Sequence, residues 1–215
     1  MKFLKAKLNQ KFSVKELLLD RVGGAEPARS IAVLHASDLT KQLPEFCPRE
    51  FWLHRKLDIK RPDQQVQHAM RVTWDEGRDK QWRLNNEYLR DVMWGNWKCL
   101  KCNGVVKWET YPEEVEEPCV KGKHLWEYEE PEFKHPSGFS GSLDGVIQFT
   151  PSKRRMLECK IMKGEDFKDL KAPLAEHRVR TQLYLRMLAE ANSKVAATID
   201  TSVGHILYWM RGHGV

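Results

Sequence analysis

Residues 141–160 read GSLDGVIQFTPSKRRMLECK, and the fold is predicted outward from this stretch. Its first half alternates in residue type and favours a strand, residues 150–153 are typical of a turn, and residues 156–161 predict a second strand. Because successive side chains of a strand point to opposite faces, Glu158 and Lys160 should share one face. The sequence therefore predicts a two-stranded ribbon with an acid and a lysine side by side.

The preceding strand brings a further acid, Asp144, to this ribbon. Carboxylates are ligands that Mg²⁺ and Mn²⁺ prefer, and a neighbouring ammonium can stabilise a developing negative charge. The pattern indicates a site for a hard divalent cation. The alternative is that the three residues are ordinary solvated charges.

Length and composition limit the number of domains and the class of protein. The chain has 215 residues, 41% of them hydrophobic, which indicates one domain, or one domain with an insertion. The formal net charge of +6 permits binding of a polyanion without requiring it. No apolar run is long enough to span a membrane, and the N-terminus lacks the pattern of a signal peptide. We expect a cytoplasmic location, in a bacterium or in an infected host cell.

The N-terminal part favours helices. Residues 13–19 resemble a capped helix, Ser37 is a candidate N-cap, and Pro48 suits the first turn of another helix. Cys47, just before Pro48, is interpreted as a small buried residue rather than as a metal ligand.

One long amphipathic pattern covers residues 63–93, with irregularity expected around Gly77. Most of its charges are interpreted as a solvated face. Glu76, Gln81 and His68 remain candidate members of an active site.

A group of cysteines follows this pattern. Cys99, Cys102, Cys119 and His124 give the spacing C-x2-C-x16-C-x4-H, which supplies the four ligands of a closed, tetrahedral zinc site. The less favoured candidates for the fourth ligand are His54, His68 and His135.

This zinc site should be structural, since no open coordination position is implied and the region should have little apolar core without the metal. The alternative is unpaired buried cysteines beside a surface histidine. The odd total of five cysteines argues against a disulfide framework.

The remaining chain predicts a helix over residues 177–189 and a strand over residues 202–210. Two acids upstream of the ribbon, Glu130 and Glu132, are interpreted as edge charges. The order of helices, zinc loop, strands, helix and strand indicates a mixed α/β layer around a central sheet.

Asp144, the run Glu158-Cys159-Lys160 and a following helix with Gln182 together resemble the PD-(D/E)XK nuclease superfamily. More narrowly they are similar to its RecB-like branch, which includes CRISPR-associated RecB-like exonucleases and phage nucleases. Residues 46–53, FCPREFWL, also resemble the N-terminal helices of that branch. The likeness spans about residues 35–210 without the zinc loop.

The resemblance implies an α/β, restriction-endonuclease-like fold, in which a central mixed sheet is flanked by helices and a zinc knuckle is inserted. Residues 1–95 would form the N-terminal helical part, residues 96–128 the zinc-binding insertion, and residues 129–215 the catalytic α/β core.

The resemblance also implies roles for the residues of the ribbon. Asp144, Glu158 and the backbone carbonyl of Cys159 would bind Mg²⁺ or Mn²⁺, and Lys160 would orient the attacking water or stabilise the phosphate. Gln182 would be a further catalytic residue. The residues expected to hold phosphates without reading sequence are Arg178, Arg180, Arg186, Lys163 and Lys168.

The sequence departs from the family pattern in three places. Gln81 stands where the branch often has a metal-binding histidine, so Gln81 and Glu76 remain open candidates for that ligand. Arg186 occupies the position of the family's tyrosine, with Tyr184 offset from it. No cysteine follows Cys159, so no iron–sulfur cluster is expected.

The function implied by the resemblance is metal-dependent hydrolysis of DNA phosphodiester bonds, by an exonuclease acting in replication, recombination or repair. Replication or recombination proteins are candidate partners. Two alternatives remain: a catalytically inactive nucleic-acid-binding module of the same fold, and a zinc-ribbon protein whose acidic patch recruits a replication partner.

Overall fold

The computed structural model describes residues 24–26, 34–40, 47–59, 64–66, 68–113, 115, 119–135, 138–191 and 195–211. The helix expected over residues 13–19 lies outside the described residues. Among the helices that the structure does describe, none combines the length and apolar character needed to cross a bilayer.

The helices form largely where the sequence predicts them. They are α1 (Ala36–Leu39), α2 (Pro48–Lys56), α3 (His68–Arg83), α4 (Gly164–Asp169) and α5 (Ala175–Glu190). Pro48 occupies the first turn of α2, as predicted. Helix α1 begins two residues earlier than expected, which places Ser37 inside the helix instead of at its cap.

The end of α3 differs from the expected continuous helix. Gly77 lies within regular helix, and the chain changes instead to a π-helical turn over Leu84–Tyr88, followed by a 3₁₀ turn over Arg90–Val92. The amide of Leu89 donates to the carbonyl of Leu84 at 2.8 Å, which is the five-residue spacing of a π-helix.

The strands of the described residues form one two-stranded sheet and three three-stranded sheets. Strand β1 (Gly24–Glu26) pairs with β3 (Gln64–Val66). The strands of the larger sheets are β2 (Leu34–His35), β4 (Gly95–Cys99), β5 (Val105–Glu109), β6 (Trp126–Glu129), β7 (Glu132–Lys134), β8 (Phe139–Ser142), β9 (Gly145–Thr150), β10 (Lys153–Met162) and β11 (His205–Met210). These three sheets have the orders β2-β8-β7, β5-β4-β6 and β11-β10-β9. The mixed α/β class is confirmed, with the strands divided among small sheets.

The sheet β11-β10-β9 positions the predicted site. Strands β9 and β10 form the expected antiparallel hairpin, in which Leu157 lies opposite Gly145. Strand β11 pairs with β10 in parallel, so the intervening chain, with α5, returns across the sheet. The main core cluster packs against this sheet and includes Val146, Met156 and Leu188, each at most 2% exposed.

The cysteine-rich region folds as the sheet β5-β4-β6. Its strands enclose an aromatic cluster around Trp97, Trp126 and Tyr128, a larger apolar core than sequence analysis expects there. The hydroxyl of Tyr128 donates to the carbonyl of Trp94 at 3.0 Å and accepts from the amide of Val146 at 3.2 Å. These two hydrogen bonds connect the cysteine-rich sheet to the strand that follows Asp144.

Candidate metal and catalytic centre

Strand β10 has a charged face and an apolar face. Glu158 and Lys160 share one face, and the Lys160 ammonium lies 2.5 Å from Oε1 of Glu158. Leu157 and Cys159 point to the other face and pack in a buried cluster with Leu84. The alternation that the sequence predicts along this strand is therefore confirmed.

Three oxygen atoms surround the ammonium of Lys160. They are Oε1 of Glu158 at 2.5 Å, the backbone carbonyl oxygen of Cys159 at 3.0 Å and Oδ2 of Asp144 at 3.6 Å. These are the three groups that sequence analysis expects to bind a divalent cation. The fold thus brings all three around one cationic nitrogen.

Asp144 is held at both its side chain and its main chain. It stands in the bend between β8 and β9, and its carboxylate accepts a 2.6 Å hydrogen bond from the backbone amide of Cys159. Its backbone carbonyl accepts a 2.8 Å hydrogen bond from Nδ2 of Asn85. The orientation of this carboxylate is therefore fixed by partners from two other segments.

Burial dominates the electrostatics of Glu158. This residue is only 1% exposed, and its burial, followed by the charge of Asp144, raises the pKa of its carboxyl group. The ammonium of Lys160 and the guanidinium of Arg180, whose Nη1 lies 3.6 Å from Oε1, act in the opposite direction. A buried carboxylate with this environment is suited to a cation that neutralises it.

The residue of helix α5 that contacts this centre is Arg180 and not the expected Gln182. Arg180 contacts Glu158, whereas Gln182 is exposed and forms no hydrogen bond to Glu158 or Lys160. His177 lies on the same side of α5 as Arg180, and its Nδ1 is 2.8 Å from the hydroxyl of Tyr208 in β11. Burial and the charge of Lys160 lower the pKa of its imidazole. The catalytic role of Gln182 stays a prediction.

A third carboxylate, Glu130, belongs to this neighbourhood. The residue as a whole is exposed, but its carboxylate is partly buried. This burial and the charge of Asp144 raise the pKa of Glu130 to about 7, although a side-chain hydrogen bond with Ser142 acts in the opposite direction. Nε2 of Gln81 donates to Glu130 at 2.5 Å. The local sequence favours an edge charge at Glu130, and the proximity of Glu130 to Asp144 arises only from tertiary folding.

The two candidates from the early helix have different surroundings. Gln81 lies beside Glu130 and reaches the edge of the centre through it. Glu76 instead forms ion pairs with Lys80 and Arg211, both at 3.4 Å. The side chain of His68, the third candidate from this helix, lies outside the described part of the structure.

The basic residues expected to hold phosphates are mostly available to solvent. Arg178, Lys163 and Lys168 are exposed, and the exposed Arg186 pairs with Glu190 on its own helix. Arg180 is the member of this set that contacts the carboxylates.

The four predicted zinc ligands form a second, more compact centre. Ligand atoms of Cys99, Cys102, Cys119 and His124 all lie within 4.8 Å of one another. Among the residues that the structure describes, this is the only group of three or more such side chains that is so compact.

Local structure explains why the cysteine cluster closes. After β4, the amide of Asn103 donates to the carbonyl of Cys99 at 2.8 Å, and Asn103 adopts a positive φ of 60°. This tight turn directs Cys99 and Cys102 towards one point. Nδ1 of His124 lies 3.7 Å from Sγ of Cys102, and its ring stacks on Trp126 with centroids 4.5 Å apart.

The electrostatics of Cys99 suit metal binding. Burial acts to raise the pKa of its thiol, but hydrogen bonds from the backbone amides of Leu125, Cys102 and Lys101 lower it to about 5. The thiolate is the form that binds metal.

Two of the three other histidines considered as the fourth ligand are engaged elsewhere: His54 pairs with Glu50, and His135 pairs with Glu190.

No family model, curated protein or solved structure matches the chain. The functional assignment therefore depends on the residues of the two centres and on their geometry.

Proposed function

We propose that the chain is a Mg²⁺- or Mn²⁺-dependent deoxyribonuclease of the PD-(D/E)XK kind, similar to the RecB-like exonucleases. The observation that carries this proposal is the convergence of Asp144, Glu158 and the Cys159 carbonyl on the ammonium of Lys160. A binding module would need no such set, in which two carboxylates and a backbone carbonyl meet at one lysine and one of the carboxylates, Glu158, is only 1% exposed.

The donor set fits a hard cation. Two carboxylates and one backbone carbonyl supply oxygen ligands, which Mg²⁺ and Mn²⁺ prefer to thiols, and the Cys159 side chain points away into an apolar cluster. Asp144, Glu158 and the Cys159 carbonyl would hold the cation, with Glu130 at the edge. A bound cation of this kind lowers the pKa of a coordinated water and polarises the scissile phosphate.

The residues of the chain would carry the remaining steps. Lys160 would orient the attacking water and stabilise the negative charge that develops on the phosphate oxygens. The water oxygen would form a bond to phosphorus and release a proton to solvent. The bond to the leaving sugar oxygen would break, and that oxygen would take up a proton from solvent. Arg180, held beside Glu158, is placed to contact the same phosphate.

Exposed basic residues support a polyanionic substrate. Lys163 follows β10 directly, Lys168 lies on α4 and Arg178 lies on α5. Together with the net charge of +6, these residues would attract the DNA backbone. Such contacts position a substrate without reading its sequence.

Cleavage of end-labelled linear, circular and single-stranded DNA with Mg²⁺ or Mn²⁺ tests the proposal. Glu158→Gln should lower the rate by at least about 100-fold, since it removes an anionic ligand from the centre. Glu132→Gln, on the exposed side of β7, is the matched control and should cleave at the rate of the wild type. Binding of DNA without cleavage by the wild type would favour the inactive module instead.

We also infer that Cys99, Cys102, Cys119 and His124 bind a structural zinc ion. The compactness of the four ligand atoms and the lowered pKa of Cys99 support this. Metal analysis of the purified chain should find about one zinc per molecule, since the four residues fill a tetrahedral shell. Cys47→Ser, outside the cluster, should retain the zinc, and loss of zinc in this control or its absence from the wild type would contradict the assignment.

A further inference from the structure

Asn85 is a buried polar residue at an unusual point of the backbone. It is the second residue of the π-helical turn Leu84–Tyr88 and is only 4% exposed. Its Nδ2 donates to the backbone carbonyl of Asp144 at 2.8 Å, across 59 positions of the chain. Single π-turns within helices occur frequently at functional sites, because they redirect side chains that a regular helix would place elsewhere.

The other half of the Asn85 amide is not satisfied. Its Oδ1 is buried and has no hydrogen-bond partner within the described part of the chain. Buried polar atoms are usually paired, and leaving one unpaired costs stability. An apolar side chain of similar size would avoid this cost, so the role of Asn85 is better explained by what its Nδ2 holds.

What Nδ2 holds is the main chain of a candidate metal ligand. Asp144 lies in a bend between two strands, where its carbonyl is not part of a regular ladder. Next to it, a Cβ on Gly145 would stand 2.5 Å from Cε of Met93, so the chain is tightly confined at this point. With its carbonyl held by Asn85 and its carboxylate by the Cys159 amide, the side chain of Asp144 has little freedom left.

The same segment reaches the neighbouring acid. Gln81 and Asn85 are four residues apart, and they bond to Glu130 and to the Asp144 carbonyl, respectively. The early helix thus touches the centre through two amides. Gln81, where a histidine ligand is expected, takes part in this arrangement by holding a carboxylate.

We propose that Asn85 is a positioning residue, which fixes the main chain of Asp144 so that its carboxylate faces the same cation as Glu158. The proposal rests on the proposed metal-dependent nuclease function. Residues that orient metal ligands typically change metal affinity or activity by about 10–100-fold when they are replaced.

Asn86 offers a matched control on the same turn. Its Nδ2 donates to the Trp82 carbonyl at 2.9 Å, and its Oδ1 accepts from the Tyr128 amide at 2.7 Å. Both halves of its amide are satisfied, and neither contacts Asp144. Asn86→Leu should therefore lower the stability of the chain while its Mn²⁺ affinity stays within about twofold of the wild type.

The test measures Mn²⁺ affinity by titration calorimetry, the cleavage kinetics and urea unfolding for Asn85→Leu, Asn85→Asp and Asn86→Leu. Asn85→Leu and Asn85→Asp keep the branched shape of the side chain and its number of heavy atoms, and both lose the Nδ2 donor. Both should bind Mn²⁺ at least about 10-fold more weakly and show a lower kcat, with a KM for DNA within about threefold of the wild type. Excess Mn²⁺ should restore part of kcat, which a merely structural role would not produce.

The outcomes separate the two proposals. A wild type that neither binds Mn²⁺ nor cleaves DNA would overturn the nuclease function itself. An active wild type, together with either folded Asn85 variant that retains its Mn²⁺ affinity, would overturn the positioning role alone. If both Asn85 variants fail to fold while Asn86→Leu folds, Asn85 is a structural residue, and the positioning role is overturned as well.

Discussion

Replacing Lys160 with methionine would expose how strongly the buried centre depends on its ammonium. Lys160→Met keeps the length of the side chain and removes the charge that lies 2.5 Å from Glu158 and 3.6 Å from Asp144. Glu158, whose side chain is 2% exposed, would then be a buried carboxylate with only the more distant Arg180, at 3.6 Å, as its partner.

The expected loss in the free energy of unfolding of Lys160→Met is large compared with the total stability of a domain. Removing one partner of a buried ion pair typically costs about 3–5 kcal/mol, and the remaining Arg180 places the loss near the lower end, at about 3 kcal/mol. The free energy of unfolding of a whole domain is only about 5–15 kcal/mol. Urea unfolding at pH 8, without divalent cations, measures this loss.

The loss of stability in Lys160→Met should be greater at high pH than at low pH. The pKa of Glu158 is already raised by burial and by Asp144, and removal of the lysine raises it further. A carboxyl group whose pKa is higher in the folded than in the unfolded state contributes stability below its unfolded pKa, and this contribution is lost as the pH rises through the folded pKa. Protonation of Glu158 removes the need for a counter-charge, so the loss should be smaller at pH 5 than at pH 8.

Two variants control this measurement. Lys163→Met removes an exposed lysine and should change stability by less than about 0.5 kcal/mol. The double variant Lys160→Met/Glu158→Gln removes the buried charge and should regain most of the stability at pH 8. An equal loss at both pH values, or no recovery in the double variant, would refute the reasoning.

Three further predictions concern the two centres. Arg180→Met should lower kcat/KM for DNA by about 10-fold or more, whereas Gln182→Ala should change it by less than about twofold, and the reverse order in a cleavage assay would favour the residue suggested by the family pattern. Because the pKa of Glu158 is raised and cation binding requires the carboxylate, the Mn²⁺ affinity measured by calorimetry should increase as the pH rises, and a flat profile would argue against Glu158 as a ligand. Cys119→Ser should release the zinc and lower the midpoint of thermal unfolding by several degrees, and an unchanged midpoint would show that the metal does not stabilise the fold.

Local patterns explain what the sequence predicts correctly. The alternation along residues 153–162 places Glu158 and Lys160 on one face because it depends only on strand geometry. The quartet that ends in His124 is likewise predictable, since the spacing of its ligands is typical of zinc sites.

Contacts between distant segments explain what the sequence does not predict. Asn85 and Glu130 approach Asp144 from other parts of the chain, and no local pattern marks either residue. The choice between Arg180 and Gln182 depends on the rotation of α5 against the sheet, which packing decides. The division of the strands into small sheets depends on tertiary pairing in the same way.

The most direct test of the central claim is cleavage of linear DNA by the wild type and by Glu158→Gln, each with Mn²⁺ and with a chelator. We expect cleavage by the wild type that requires Mn²⁺, and loss of at least about 100-fold of that rate in the folded variant. A wild type that leaves linear, circular and single-stranded DNA intact with Mn²⁺ and with Mg²⁺, or a variant that cleaves as fast as the wild type, would contradict the claim.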